Sequence, residues 1–424
     1  MFASPASFFV AGFVVVSAPR GARKLRPKKS LPMAMVNNNL QTSQSLVVVD
    51  AEEWPGLNRE TVRRVREETP GIAGLSTCDL PAPSSTTTTT TPNPAVVLAH
   101  FNSAGASLPP RSVLAAQTEY LDLEAVAGGY EAAELRADDL RRPYRALAAL
   151  LGCAASEIAI TQSATAAWLS AFSSFKFQPG DRILTARAEY ASNYIAYLQV
   201  AARTGAVVET IPSDAAGQLD VAALERLLSE DDSCKGPVRL ISITHVPTSG
   251  GLVNPAAAVG ALAKKHRVPY LLDACQSVGQ MPVDVNEIGC DFLAGTGRKY
   301  LRGPRGIGFL YARSSLVEGQ GLEPAFLDLH GARWDAASHY QPFPAARRFE
   351  QYEVNFAAKV GLGVAVEYAL SIGVGASWAR VQHLAATTRR GLENLDGVTV
   401  RDVGEVQCGI VSFSVEGVEA GKVR

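Results

Sequence analysis

The stretch Leu293-Ala294-Gly295-Thr296-Gly297-Arg298-Lys299-Tyr300-Leu301-Arg302-Gly303-Pro304-Arg305-Gly306 places one lysine in a loop of small residues. Lys299 follows Asp273 by 26 residues, and Asp273 comes directly after the apolar run Tyr270-Leu271-Leu272. A lysine amine can hold the aldehyde of pyridoxal phosphate as a Schiff base, while a carboxylate can pair with its pyridinium nitrogen and keep the ring an electron sink. Lys299 and Asp273 are therefore the predicted catalytic residues of a pyridoxal phosphate site.

The composition is that of a globular chain with a large core. The 424 residues carry a formal net charge of -1, and 47% of them are apolar, which suits two or three domains. A charge this close to zero gives no basic surface for nucleic acid, so a small-molecule partner is expected instead. The cysteines form no CxxC pair and are too scattered for a disulfide framework or a zinc site, which predicts a reducing compartment and no metal; they are Cys78, Cys153, Cys234, Cys275, Cys290 and Cys408.

The first 49 residues contain no Asp or Glu. Their apolar run from Phe8 to Ala18 is shorter than the roughly 20 residues that span a bilayer. A basic cluster follows it, made of Arg20, Arg23, Lys24, Arg26, Lys28 and Lys29. Such a composition is typical of organelle-targeting segments, so we interpret residues 1–49 as a leader, to a plastid in preference to a mitochondrion. The alternative is a disordered tail from an uncertain gene start, which leaves the protein in the cytoplasm.

The remaining chain divides into three predicted regions. Residues 50–95 contain a charged amphipathic helix over 57–74 and a threonine-rich segment from Pro81 to Pro94, whose composition predicts a disordered insertion. Residues 96–345 are the predicted cofactor-binding large domain. Residues 346–424 begin with two long helices and end in strands of a smaller α+β domain, which we expect to be incomplete.

Strands and helices alternate through the large domain. Short apolar runs, among them Ile158 to Thr161, Leu240 to Ile243 and Ile307 to Tyr311, are separated by helical segments. Nearly continuous apolar strands predict a sheet that is covered on both faces, so the fold class is α/β with a mostly parallel, seven-stranded sheet. Ligands of such sheets bind beyond the carboxyl ends of the strands, which is where Asp273 stands.

Two predicted cofactor contacts follow the first strands of this domain. Ala164 and Thr165 open a helix directly after a strand, where free N–H groups and the helix dipole favour a phosphate. A simple helix cap by Ser163 is the structural alternative. Tyr190 follows the next strand, and its ring either stacks on the flat pyridine face or covers the sheet edge.

Two further polar residues are placed to reach the phenolic oxygen of the ring. Thr248 lies in a turn with two glycines after a strand, and Gln276 lies three residues beyond Asp273. His245 stands near Thr248, but a single histidine in a strand is more often a structural residue than a ligand, so we interpret it as structural.

Two residues flank the lysine. Thr296 and Arg298 are both predicted to bind the cofactor phosphate, Arg298 with its planar guanidinium. The Arg298 charge and desolvation are both expected to lower the pKa of Lys299, which favours the reactive neutral amine.

Together these residues resemble the class V aminotransferase family, part of fold type I of the pyridoxal phosphate enzymes. The resemblance covers roughly Phe101 to Val415 and is most specific in His245 to Pro255 and in Leu271 to Leu310. The resemblance implies that Asn102 and Ala104 lie in a loop on the substrate side of the site.

The resemblance also implies the state of assembly and the kind of substrate. We expect a symmetric homodimer that acts on a small amino acid substrate and does not contact a membrane in its mature form. The segment from Phe349 to Asn355 is expected to contact the phosphate across the subunit interface.

Two segments, Thr248 to Pro255 and Gly297 to Gly306, look closest to the branch that contains the lyase acting on hercynylcysteine sulfoxide. This likeness implies cleavage of a Cβ–S bond in a cysteine derivative. Arg298 stands where cysteine desulfurases carry a histidine, and Cys408 lies in a predicted strand, which favours a core role over that of a nucleophile.

Several alternatives stay open. They are an aminotransferase, an epimerase or a cysteine desulfurase of the same family, and an inactive homologue that binds the cofactor. A nucleotide-binding dehydrogenase is disfavoured, because no G-x-G-x-x-G follows the first strand.

Overall fold

The computed structural model describes residues 9–10, 13–15, 56–71, 100–229 and 236–422. The interpreted leader lies outside these residues except for two short strands, β1 (Phe9–Val10) and β2 (Phe13–Val15). The predicted disordered insertion from Pro81 to Pro94 also lies outside them.

The centre of the molecule is a seven-stranded sheet. Its strands occur in the spatial order β3-β9-β8-β7-β6-β4-β5. β9 runs antiparallel to both of its neighbours, and the other pairs are parallel, which confirms the predicted fold class. The strands are β3 (Ile158–Thr161), β4 (Arg182–Ala186), β5 (Val207–Ile211), β6 (Val238–Thr244), β7 (Tyr270–Asp273), β8 (Phe292–Thr296) and β9 (Gly308–Ala312).

Twelve α-helices are assigned within the described ranges, and five of them lie between successive strands of the central sheet. They are α1 (Arg59–Glu67), α2 (Arg111–Ala127), α3 (Gly129–Leu135), α4 (Ala137–Leu151), α5 (Ala164–Ser173), α6 (Ala191–Thr204), α7 (Val221–Ser229), α8 (Ala256–His266), α9 (Val285–Ile288), α10 (Ser314–Gln320), α11 (Phe356–Ile372) and α12 (Val374–Glu393). No single described helix is long and apolar enough to cross a bilayer; α11 and α12 meet that test only when taken together, across a bend of 75°.

Neighbouring residues of the central strands enter two different cores. Ile241 and Leu272 pack on one face of the sheet together with Leu147 of α4, whereas Leu240 and Leu271 pack on the other face with aromatic residues of α5 and α6. Helices cover both faces of the sheet. Successive residues of these strands are therefore apolar, without the alternation of apolar and polar residues that a sheet with one face in water shows. Burying each such side chain stabilises the fold by about 1.5–3 kcal/mol.

Two elements differ from the sequence-based prediction. Residues 293–296 were interpreted as part of the lysine loop, but they belong to the fully buried strand β8, which lies between β7 and β9. A Cβ on its Gly295 would lie 2.2 Å from the Phe309 ring, so small residues are required there by the neighbouring strand. The spacing of Leu135, Leu140, Leu147 and Leu150 predicts one helix over 130–151, but the helix is broken at Arg136, whose φ of -109° is not helical.

The C-terminal part joins the large domain through one helix. α11 packs against α2 and α4, and the following α12 leads to the antiparallel pair β12 (Val398–Val400) and β13 (Val411–Val415), with β2 parallel to β13. A separate hairpin, β10 (Ala332–Ala336) and β11 (His339–Pro342), projects before α11.

Candidate active site

A cavity of about 130 Å³ opens at the carboxyl ends of β6, β7 and β8. Its position follows from the parallel sheet, because loops leave all these strands at one edge. The cavity wall contains all nine residues that the sequence predicted to contact the cofactor: Ala164, Thr165, Tyr190, Thr248, Asp273, Gln276, Thr296, Arg298 and Lys299.

Asp273 ends β7 and is 4% exposed. Its Oδ1 accepts a hydrogen bond from the Cys275 N–H at 3.0 Å, and its Oδ2 accepts one from Asn193 Nδ2 at 3.0 Å. Both donors are neutral, so they fix the orientation of the carboxylate and leave its charge uncompensated. A buried carboxylate of this kind is suited to bind a cationic nitrogen such as a pyridinium.

Lys299 lies in the same cavity and is 8% exposed. Burial lowers the pKa of its amine, the Arg298 charge lowers it further, and Cys275 and Asp273 oppose the shift. The direction agrees with the sequence-based expectation. A lower pKa increases the fraction of neutral amine, which is the form that attacks an aldehyde and takes up a proton.

The predicted phosphate turn lies at the N-terminus of α5. Ser163 accepts a hydrogen bond from the Ala166 N–H at 3.1 Å, as a helix cap does, so the structural alternative for Ser163 holds as well. The N–H groups of Ala164 and Thr165 precede the first intrahelical bonds and lie at the cavity wall. A Cβ on Gly308 would lie 2.4 Å from the Ala164 nitrogen, so only glycine lets β9 approach the turn this closely.

The substrate-side loop is held by two residues of the cavity. Gln276 Nε2 donates to the Ala104 carbonyl at 3.2 Å, and Arg298 Nη1 donates to the Gly105 carbonyl. Asn102 closes the loop by accepting from the Gly105 N–H at 2.9 Å. Asn102 and Ala104 do not line the cavity itself. Arg298 therefore has a contact beyond the predicted phosphate, since it links the lysine loop to the substrate side.

Tyr190 is 39% exposed and precedes α6 at the cavity wall, so its ring is free to cover a flat ligand. His245 is buried but does not line the cavity, and burial lowers its pKa to about 4. The position of His245 agrees with the structural interpretation of this residue. Cys408 is also fully buried, among Val246, Val253 and Ile410, and burial raises its pKa to about 12. It lies just before β13 and not within a strand.

The sequence-based prediction missed three polar residues of the wall. Cys275, Thr244 and Gln162 line the cavity, and Gln162 Nε2 donates to Gln351 Oε1 at 2.8 Å and to the Glu353 carbonyl at 3.0 Å. The segment from Phe349 to Asn355 is expected to contact the phosphate across the subunit interface. Through its bonds to Gln162, it also reaches the rim of the cavity in its own chain. Cys275 and Thr244 could have been found from the sequence, because both lie at or next to the carboxyl ends of predicted strands.

The donor set fits pyridoxal phosphate. A carboxylate without a bound cation, a buried amine of lowered pKa and a helix N-terminus surround one cavity, as the ring nitrogen, the aldehyde and the phosphate of that cofactor require. Gln276 Oε1 is buried without a hydrogen-bond partner among the described residues, so one polar end of this side chain remains available for a ligand.

The chain belongs to the aminotransferase class-V family, whose model matches residues 99–424. Enzymes of this family use pyridoxal phosphate, so the protein is a pyridoxal phosphate-dependent enzyme, and the residues of the cavity fit that cofactor. This confirms the family, the cofactor and the enzyme class that the sequence predicted.

The relatives share most of their length with this chain. A probable cysteine desulfurase of Methanothermobacter thermautotrophicus is 28% identical over 76% of this chain and 78% of its own. Probable cysteine desulfurase 2 of Mycobacterium leprae is 32% identical over the same shares. The apo structure of a cysteine desulfurase from Thermococcus onnurineus NA1 is 27% identical, with a TM-score of 0.68 over 75% of this chain and 79% of that one.

Proposed function

We propose that the enzyme cleaves the Cβ–S bond of a cysteine derivative, a thioether or its sulfoxide, by elimination. The observation that carries the proposal is the contrast between the two reactive side chains of the cavity. Lys299 has a lowered pKa and suits a base, whereas burial raises the pKa of the Cys275 thiol well above its usual value. Elimination needs a base, while sulfur transfer to the enzyme needs a thiolate.

The residues of the chain divide the work of this reaction. Bound pyridoxal phosphate supplies the electron sink that makes the α-proton of the substrate acidic. Asp273 holds the positive charge of the ring nitrogen, and the Lys299 amine removes the α-proton. As the Cα=Cβ bond forms, the Cβ–S bond breaks with both electrons on sulfur, which leaves as a thiol or sulfenic acid after it takes a proton. The 2-aminoacrylate reacts with water to give pyruvate and ammonia.

The test is a product analysis with the full chain and added pyridoxal phosphate. Borohydride reduction and peptide mapping should place the cofactor label on Lys299. Cysteine S-conjugates and their sulfoxides should then give pyruvate, ammonia and the sulfur product in equal amounts, with no keto-acid acceptor added to the assay. The variant Lys299→Ala should give none of these products. An absolute requirement for a keto-acid acceptor would contradict the proposal and favour transamination.

Cysteine desulfuration is the second candidate, and the names of the relatives favour it. The two reactions leave different carbon products. A desulfurase that transfers sulfur to a thiol converts cysteine into alanine, whereas elimination gives pyruvate. Alanine formed in proportion to persulfide would establish desulfuration and exclude the lyase as the main activity.

We also propose that the enzyme is a homodimer. Aromatic side chains on and near the hairpin of β10 and β11 are strongly exposed, with Phe326 at 92% and Trp334 at 78%, and exposed aromatic groups of this kind are typical of interfaces. Sedimentation of the loaded enzyme should give twice the mass of the chain. The plastid leader stays a further proposal, which a fluorescent fusion of residues 1–49 would test by its location in the cell.

A further inference from the structure

A polar cluster beside the cavity links Asp273 to a second carboxylate. Asn193, in the first turn of α6, is 2% exposed. Its amide nitrogen donates to Asp273 Oδ2 at 3.0 Å and to Glu189 Oε1 at 3.0 Å. An amide nitrogen carries two hydrogens, so the bridge uses both and the amide has one orientation.

Glu189 is held by donors from three neighbouring elements. Besides the amide of Asn193, its Oε1 accepts from the Tyr190 N–H at 2.7 Å and from the Thr244 hydroxyl. Its Oε2 accepts from the Thr185 hydroxyl at 3.1 Å. Glu189 does not line the cavity, so it would make no direct contact with a bound cofactor.

Burial makes the ionisation of Glu189 sensitive to pH near neutrality. Burial raises the pKa of Glu189 to about 7; the hydrogen bonds from Thr244, Asn193 and Tyr190 lower it, and the Asp273 charge raises it.

The other titratable groups near Glu189 are the phenols of Tyr197 on α6 and Tyr270 on β7. Burial raises both of their pKa values well above the usual range, so both stay neutral. Lys299 and Cys275 interact electrostatically with Asp273, the carboxylate that Asn193 links to Glu189.

We propose that Glu189 and Asn193 form a positioning relay for the cofactor, in which the Glu189 charge, passed through the Asn193 amide, strengthens the hold of Asp273 on the pyridinium proton. When Glu189 is ionised, the negative potential at Asp273 stabilises the protonated ring. When Glu189 is protonated, that contribution is lost. The inference rests on the family assignment and on the cofactor, and is independent of the reaction proposed above.

The sharpest variant is Glu189→Gln, because the structure allows it to keep every hydrogen bond. The amide oxygen can accept the three donors that now reach Oε1, and the amide nitrogen can donate to the Thr185 hydroxyl, which reverses its role. The variant therefore removes the charge and little else.

The readout is the pH midpoint of the visible absorption of the bound cofactor, titrated without substrate. Glu189→Gln should shift this midpoint downward by on the order of one pH unit, because one nearby negative charge is gone. Glu209→Gln is the control: it removes a carboxylate on β5 of the same sheet, which is bound to Arg182 at 2.6 Å, and should leave the midpoint unchanged. An unchanged midpoint in Glu189→Gln would overturn the proposal.

The relay through Asn193 has its own test. Asn193→Ala removes the bridge, so the shift caused by Glu189→Gln should shrink when both changes are combined. A full shift in the double variant would refute the relay, since the charge would then act directly through space.

A third variant covers the case in which Glu189→Gln does not fold, which circular dichroism would reveal. Thr185→Val removes the donor to Oε2, disfavours ionised Glu189, and should lower the midpoint by a smaller amount. No shift in a folded, loaded Thr185→Val variant would then count against the proposal.

Discussion

Two buried aspartates of this chain carry the same charge but have different surroundings. Asp402, before β13, accepts hydrogen bonds from the Gly251 N–H at 2.8 Å and from Arg389 Nε at 2.8 Å. Among the described residues, Asp273 accepts hydrogen bonds from neutral donors alone, the Asn193 amide and the Cys275 N–H, both at 3.0 Å. A buried carboxylate that a guanidinium neutralises holds the fold together, whereas one left with its charge is ready for a cationic ligand.

The largest expected effect is on catalysis at the uncompensated aspartate. Asp273→Asn keeps the shape but removes the charge that stabilises the protonated ring, so turnover should fall by at least about 100-fold. Borohydride should still label Lys299, because the amine and the aldehyde are unaffected. Steady-state kinetics and peptide mapping on one preparation separate the two effects, and retained turnover would remove the role assigned to Asp273.

Loss of the charge partner of Asp402, the aspartate that Arg389 neutralises, should instead affect stability. Arg389→Met leaves Asp402 buried without its cation, which costs about 3–5 kcal/mol in the free energy of unfolding, together with the bonds that Arg389 makes to the Cys408 and Ile410 carbonyls. Urea denaturation measures the loss, and the folded fraction should still bind cofactor.

A matched control for this variant lies on the surface of α4. Arg141→Met breaks a pair with Asp138 whose two side chains are largely exposed, so the midpoint of urea unfolding should hardly change. A loss in Arg141→Met equal to that in Arg389→Met would show that burial is not what distinguishes the Arg389 pair.

The two aspartates also show what the sequence can and cannot predict. Asp273 was predictable because it ends an apolar run in a parallel sheet, and the same argument found Tyr190 beyond another strand but missed Thr244 at the end of β6. Its partner Asn193 was not, because the two residues are 80 positions apart in the chain. The same holds for the bond from Arg298 to the Gly105 carbonyl, across 193 positions.

The strand β8 was missed for a different reason. Its residues Ala294 and Gly295 have low strand propensity, and the closeness of the Phe309 ring requires residue 295 to be small. Packing that a neighbouring strand imposes has no local signature in the sequence, so the segment resembles a loop until the sheet is assembled.

A smaller effect is expected on the pH dependence of stability without cofactor. The folded pKa of Glu189 lies above the ordinary value for a glutamate, so its contribution is present at low pH and is lost as the pH rises toward about 7. Glu189→Gln lacks this loss, so between pH 5 and pH 8 (about the range that spans the change) its free energy of unfolding should fall less than that of the wild type. If urea denaturation gave the same pH dependence for Glu189→Gln and the wild type, Glu189 would titrate in the folded protein as it does in water, contrary to this prediction.

The smallest effect concerns the thiol beside the uncompensated aspartate. Burial and the Asp273 charge raise the pKa of Cys275, against the opposing charges of Lys299 and Arg298, so little thiolate forms and alkylation by iodoacetamide should be slow. Bound cofactor should slow it further, because Cys275 lines the same cavity. Mass spectrometry of the Cys275 peptide follows the rate. Asp273→Asn removes the nearest negative charge and should speed alkylation; an equal rate in that variant would mean that burial alone controls the thiol.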